Sequence, residues 1–465
     1  MGGFILTRMP QNRLPAPLLS PRERYLQGTK LRERMPRRAH ADVTLARRDA
    51  EARLAILASV NEGRLPALLP EKIRRMRVSP FAFFRGAAVL MAADMASGSR
   101  TGVLAQMCGD AHVRNLGAYA TPDGTIVFDL NDFDETMPGP WEWDVKRLAA
   151  SLMLAGEDSG LSTRRCEESV RAFVASYRAH LLEFAAMPFA RLGRYLIRRR
   201  PEDPLLCAIF EDAERTTPRR NLDKLTFERG GRHRFHDRRP VLQHVPARVA
   251  SDVLRGLDAY RATLNASRRR LFERYRPVDV AFKLVGTGSV GTRDYVVLLF
   301  GNGERDPLFI QVKQELPSCY ARFLPRAHAP VHQGRRVAEG QQMLQTLSDP
   351  LLGFTQCGDH QYLVRQLADH KAGIDPTRLT RRTQLAYAHL CGEVLAKGHA
   401  RTTDAALLAG YAGRSDKLDR AIAEYAGTYA AQTKRDYAAF LKAERGVLSR
   451  AARPSSTSRA RRATG

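Results

Sequence analysis

A helix-rich α+β fold is what this sequence predicts, and three observations predict it. Apolar residues recur at helical spacing through both ends of the chain. Residues 278–315 switch to short β-rich runs separated by Gly turns, and a hairpin signature lies near residue 120.

At 465 residues the chain can bury a large core, and its length suggests roughly two to four structural units. Hydrophobic residues make up 44% and charged residues 27%, and no apolar run reaches the roughly 18 residues that a membrane-spanning helix needs. The opening MGGFILTRMPQNRLPAPLL lacks a long apolar stretch and a small-residue cleavage site, which argues against export. Cys108, Cys166, Cys207, Cys319, Cys357 and Cys391 show no CxxC or finger spacing and read as reduced thiols of a cytoplasmic protein. Lys plus Arg total 75 against 49 Asp plus Glu, a formal charge of +26. That surplus attracts phosphate-bearing partners without choosing among nucleotides, nucleic acid and anionic lipid, so nonspecific polyanion contact is expected. Residues 1–40 hold nine basic residues against two Glu and are expected to be flexible; the basic, Ser-rich tail 447–465 is expected to be disordered.

Each element has its own signal. Leu45, Leu54, Leu57 and Val60 predict a helix within 41–69, and Ser79 with Pro80 starts another that runs to Met95 and breaks at 97–100. TGVLAQMCGD reads as a short strand. LGAYA and TIVFDL form a hairpin about the turn Thr121-Pro-Asp-Gly124. After Pro138-Gly-Pro140, WEWDVKRLAASLMLAG predicts an amphipathic helix, and residues 164–187 a second. Residues 190–250 are basic and broken by Pro and Gly, and read as a mobile, loop-rich insertion. Three antiparallel strands are expected over 278–315, a helix over 335–347, then a β-like pair, and helices from Leu379 to about residue 445.

Two motifs carry chemistry. Within Cys108 to Glu135, Asp110, His112 and Asn115 are followed across the hairpin by Asp129, Asp132, Asp134 and Glu135. Phosphoryl transfer needs a carboxylate to orient the attacking hydroxyl, and an Asn plus an Asp to hold magnesium against the phosphates. The segment supplies that set in that order. Asp and Asn also collect in solvated turns, but carboxylates flanking an apolar core repel one another unless a cation joins them. The second motif, Gly286-Thr-Gly288-Ser289-Val-Gly291, sits between two predicted strands, where glycines let backbone N–H groups approach a phosphate. Lys313 follows in a strand, and Glu339 on the next helix is a candidate partner for it.

GDAHVRN followed by NDFDETMPGPWEWDVKRLA resembles the catalytic and metal segments of aminoglycoside phosphotransferase and choline kinase relatives. With SPFAFFRGAA, GTGSVGTRDY and RVAEGQQML, it also resembles the bacterial family catalogued as domain of unknown function 2252, over roughly residues 30–440. That family name brings no activity with it. The kinase-like resemblance implies a two-lobe protein-kinase-like fold with ATP and Mg2+ as cofactors. It makes Asp110 the catalytic base, with His112 supporting the catalytic loop and Asp144 bracing it, and Asn115 and Asp132 the magnesium ligands. The downstream frame of DFDE, GP and Asp144 favours Asp132, whereas the distance from Asn115 favours Asp129. Gly286, Gly288, Ser289, Gly291 and Lys313 would hold the triphosphate.

In kinase-like chains the Gly-rich loop and its Lys precede the catalytic loop, and here they follow by about 170 residues. Either the Gly-rich segment is unrelated, or the chain is circularly permuted. LAYAHLCGEVLAKGHARTTD favours permutation, because it resembles the helix that leads into GDxHxxN in those phosphotransferases. Permutation then divides the chain at 41–275 (catalytic lobe), 276–375 (β-rich nucleotide lobe) and 376–446 (helices completing the catalytic lobe). The function expected is ATP- and magnesium-dependent transfer of a phosphoryl or nucleotidyl group to an unidentified small-molecule or protein acceptor. The rivals are a metal-dependent phosphoesterase and an inactive kinase-like or polyanion-binding scaffold.

Overall fold

Ser79 accepts the N–H of Ala82 and Pro80 fills the first turn, so a helix begins there as expected, Pro80–Gly86. It breaks at Ala87 and resumes as Ala88–Ala96. The computed structural model describes residues 19–325, 332–367, 371–376 and 379–451. Residues 1–18 and 452–465, which hold most of the tail expected to be disordered, lie outside them.

The described part of the basic N-terminal segment departs from the expectation of flexibility. Ser20 and Glu23 form a capping box for the helix Pro21–Arg34, which packs on the helix Ala405–Ala412. The approach is so close that a Cβ on Gly28 would lie 1.9 Å from the Leu407 carbonyl oxygen. Arg32 and Arg37 donate to the carbonyls of Tyr411 and Ala412, so part of the basic charge is absorbed in packing. Within 41–69 the helix is short, Ala50–Ala58, capped by Asp49.

The helix Trp141–Asp158 is the hub of the helical part. An amphipathic helix was expected; instead every residue from Trp141 to Gly156 is buried, because helices Thr163–Ala186 and Lys417–Ala451 pack against it. Buried charges need partners. Lys146 lies 4.2 Å from the Tyr425 ring centre, and Asp144 and Arg147 turn to the loop at 108–110. The helix Arg381–Thr402 runs along Thr163–Ala186, and Gly392 permits the contact, since a Cβ there would meet the Phe173 carbonyl oxygen at 2.5 Å. The hairpin pairs Leu116–Ala120 with Ile126–Leu130, and Gly124 takes the turn at φ 81°.

The β-rich part is one antiparallel sheet of six strands, in the order Gly353–Cys357, His360–Gln366, Pro307–Gln314, Asp294–Phe300, Arg276–Lys283 and Leu242–His244. The last of these belongs to the stretch expected to be a mobile insertion. Residues 190–250 are in fact built of helices Pro204–Glu214 and Pro218–Leu225, a hairpin, and that edge strand. The reason lies in Val296 to Leu299, a continuous apolar run whose side chains alternate between the two faces. Val297 and Leu299 pack under Val253, Leu257 and Tyr260 of the helix Ala247–Arg261. Val296 and Leu298 pack under Leu222, Phe235 and Leu242. Both faces are covered, so the β-rich unit begins well before the expected boundary at 276. Helix and sheet together make the fold α+β and helix-rich. Among the described residues no helix is long and apolar enough to cross a membrane.

Candidate active site

The loop 108–115 is held from the hub helix. Asp144 accepts the backbone N–H of Cys108 on Oδ2 at 2.7 Å and of Gly109 on Oδ1 at 3.0 Å. Behind it, His399 Nε2 lies 3.6 Å from Asp144 Oδ2, and Tyr177 is hydrogen-bonded to His399 Nδ1 at 2.8 Å. Gly109 sits at φ 88°, and a Cβ there would fall 2.3 Å from the Glu135 carbonyl oxygen. Only Gly fits this crossing.

Asp110 receives Arg147 Nε at 2.9 Å and Nη2 at 2.7 Å, both on Oδ1. Burial pushes its carboxyl up, but the Arg147 charge and hydrogen bonds outweigh it and hold the group below the usual carboxylate range. His112 lies with Nε2 3.7 Å from Asp110 Oδ2, while its Nδ1 accepts the Arg114 N–H at 3.2 Å. Burial pushes the His112 imidazole down to about 3, so the ring is neutral near pH 7. Asn115 donates its side-chain N–H to the Asp110 carbonyl at 2.9 Å, which leaves its amide oxygen as the ligand atom.

The two candidate aspartates separate. Asp129 is bonded to Lys397, a buried pair facing the helix Arg381–Thr402, and does not line the cleft. It is a strand residue on the inner face of the hairpin, which is why spacing from Asn115 misplaces it. Asp132, past the strand end, lines the cleft with Asp110 and Asn115. Its Oδ1 is buried and has no hydrogen-bond partner, and burial together with the neighbouring Asp134 carboxylate raises its proton affinity.

Gly286, Gly288 and Ser289 line that same cleft. Arg75 donates to the Gly286 carbonyl at 2.7 Å and Arg64 to that of Val290 at 2.6 Å, while the Leu65 N–H bonds the Gly291 carbonyl at 2.7 Å. Gly291 thus anchors the loop and lies off the lining. Ser289 donates to Asp134 Oδ2, the oxygen that Lys313 also holds.

Glu339 is not the partner of Lys313. The helix Gln333–Leu344 turns Arg336, Val337, Gly340 and Gln341 inward, and Glu339 lies on its outer side, bonded to Arg335 at 2.7 Å. Asp134 takes the lysine, and the inward Arg336 donates to the carbonyls of Thr136 and Leu316.

Among the lining residues, Asp134 and Glu315 had no role assigned from sequence, whereas Arg85 is readable there either as a phosphate contact or as a counter-charge to the acidic cluster. Burial and the nearby Asp134 push the Glu315 carboxyl well up. Arg85 makes no hydrogen bond or ion pair among the described residues, and its Nε is buried. Burial and the facing Arg114 push its guanidinium down to about 10. Arg147 was also missed, although its i,i+3 spacing from Asp144 was a signal that both face one way.

No group of three or more His, Cys, Asp and Glu side chains that could hold a metal ion occurs among the described residues. Magnesium asks for less, one or two protein oxygens with water and phosphate completing its shell. Asn115 and the unpartnered Asp132 Oδ1 fit that demand.

The model of a bacterial family described as "Uncharacterized protein conserved in bacteria (DUF2252)" matches residues 64–443. No curated protein and no solved structure matches the chain.

Proposed function

The chain belongs to the bacterial family DUF2252, and for it we propose a kinase-like phosphotransferase that uses ATP and magnesium, on a circularly permuted two-lobe plan. One observation carries the reading: Gly286, Gly288 and Ser289 of the Gly-rich loop and the Asp110, Asn115 and Asp132 set, far apart in the chain, line one cleft. The strand order agrees with it. The loop joins the strands Arg276–Lys283 and Asp294–Phe300, and Lys313 lies on the strand after them, as in the nucleotide sheet of kinases. The C-terminal helix Arg381–Thr402 reaches the catalytic loop through Tyr387, which donates to the Val113 carbonyl at 2.6 Å, consistent with a displaced segment completing the lobe.

In this reading Arg147 keeps Asp110 ionised and occupies Oδ1, so Oδ2 orients the acceptor hydroxyl. Asn115 and Asp132 hold magnesium, which when bound neutralises phosphate charge. Backbone N–H groups of the loop and the Arg85 guanidinium meet the phosphate oxygens. Lys313, committed to Asp134, offsets the carboxylate charge beside the metal position. The cleft encloses about 70 Å3, so the loop must lift for a triphosphate to enter.

Isothermal titration of the full chain with ATP and magnesium, followed by transfer from γ-labelled ATP, tests the proposal. Binding that needs magnesium and is weakened in Asp132→Asn supports it. No binding by the wild type would end it, and ATP-independent cleavage of p-nitrophenyl phosphate with manganese would move the assignment to a phosphoesterase. Salt-sensitive capture of polyanions without either result would leave a scaffold.

A further inference from the structure

A second cavity, of about 340 Å3, shares no lining residue with the cleft. It is bounded by the hairpin turn, the helix Gln333–Leu344 and the end of the strand His360–Gln366.

Its polar groups are unequally satisfied. Gln341, 6% exposed, donates Nε2 to Gln345 Oε1 at 2.9 Å, and Gln345 donates in turn to the Leu130 carbonyl at 2.7 Å. This chain fixes the Gln341 amide, because turning it over would set two carbonyl oxygens against each other. Its Oε1 is left buried with no partner, an acceptor that calls for a donor. Arg365 spends Nε on Gln311 at 2.9 Å and makes no ion pair among the described residues. Lys371 is exposed and makes none there either. Asp349 also lines the cavity, but it accepts the N–H groups of Leu351 and Gln366.

The cavity therefore offers one unsatisfied acceptor and two cations that make no ion pair among the described residues. We propose that it binds a small phosphorylated or carboxylated metabolite carrying an amine or hydroxyl donor, and that this ligand is an effector of the neighbouring cleft. The anion meets Arg365 and Lys371, and the donor meets Gln341 Oε1.

The link to the cleft is one peptide unit long: Asn131 lines the cavity and Asp132 lines the cleft. Arg365 and Lys371 act on Asp132 through space as positive charges. They repel a cation placed on Asp132 for the same reason. An anion that compensates them lets the cleft hold magnesium more tightly, and linkage makes the effect mutual. This coupling rests on the magnesium reading of the cleft, whereas ligand binding does not.

The test is isothermal titration of the full chain with O-phosphoserine, which pairs a phosphate with an amine, and with citrate, which pairs carboxylates with a hydroxyl. Either probe should bind with a Kd of about 1 mM or tighter. Affinity should fall about tenfold in Lys371→Gln, an exposed position that does not threaten the fold, and in Gln341→Leu, and stay at the wild-type value in Asp110→Asn. A bound probe should also tighten magnesium binding. Binding by neither probe, or equal binding by Lys371→Gln and the wild type, would overturn the site. Binding with unchanged magnesium affinity would overturn the effector role, and probe binding where magnesium never binds would sink the cleft reading instead.

Discussion

Ser289 donates its hydroxyl to Asp134 at 3.0 Å across 155 residues of chain. Lys313 holds the same carboxylate oxygen, so the Gly-rich loop, the third strand and the acidic segment meet on one atom. Asp134→Ala removes the anion and leaves a buried ammonium, which should cost about 3–5 kcal/mol. Ser289→Ala gives up one hydrogen bond, about 1 kcal/mol. Urea unfolding of the two variants should separate them in that order; equal losses would show that Asp134 is not the joint.

Two glycines of one loop should behave differently. Gly291 sits at φ 96° with its missing Cβ 3.0 Å from Arg64 Cβ, so Gly291→Ala should lower stability by about 1–2 kcal/mol. Around Gly288 the nearest atom lies 4.0 Å away, and Gly288→Ala should melt near the wild-type temperature while binding ATP with magnesium more weakly. Calorimetry and titration on both variants check this. Normal nucleotide affinity in Gly288→Ala would remove the loop from the phosphate site.

Asp110→Asn keeps the shape of the side chain and loses its charge. Turnover should drop by about 10²-fold or more with nucleotide affinity little changed. Glu339→Ala should leave turnover, affinity and melting temperature unaltered, since Glu339 is a surface partner of Arg335. A Glu339→Ala variant as inactive as Asp110→Asn would restore the expectation that Glu339 serves the site.

Arg85→Gln should keep the fold and weaken binding of ATP with magnesium about tenfold or more, because it removes a cleft cation that has no partner among the described residues. Unchanged binding and turnover would return Arg85 to a counter-charge role for Asp110 and Asp132.

His112 sets a pH signature. Its folded value, near 3, lies below the ordinary 6.5, so it contributes stability above the unfolded value. That contribution is lost as pH falls from about 6.5 toward 3. His40, buried against Tyr411 and also pushed down to about 3, acts in the same sense. Unfolding free energy should therefore fall on acidification through this window, less steeply in His112→Gln. The His112 ring resonances in NMR should stay unshifted from pH 8 to 5; titration near pH 6.5 would contradict the buried, neutral ring.

Local signals determined a good deal by themselves. Ser79-Pro80, the Thr121–Gly124 turn and the β-rich run at 278–315 place helix, hairpin and strands, because capping, turn chemistry and side-chain alternation act within a few residues. The same locality brought Asp110, His112, Asn115 and Asp132 together as candidates, since one loop and one hairpin carry them. Tertiary structure alone decided which face each side chain meets. Asp129 went to Lys397 and Glu339 to Arg335, while Asp134, Arg85 and Glu315 entered the cleft. The basic stretches at 21–34 and 204–244 became a packed helix and the cover of a sheet face. Charge and periodicity say that a residue is polar or that a run is apolar; the partners that allow Asp129 and Lys313 to be buried lie 268 and 179 residues away, and no local pattern encodes them.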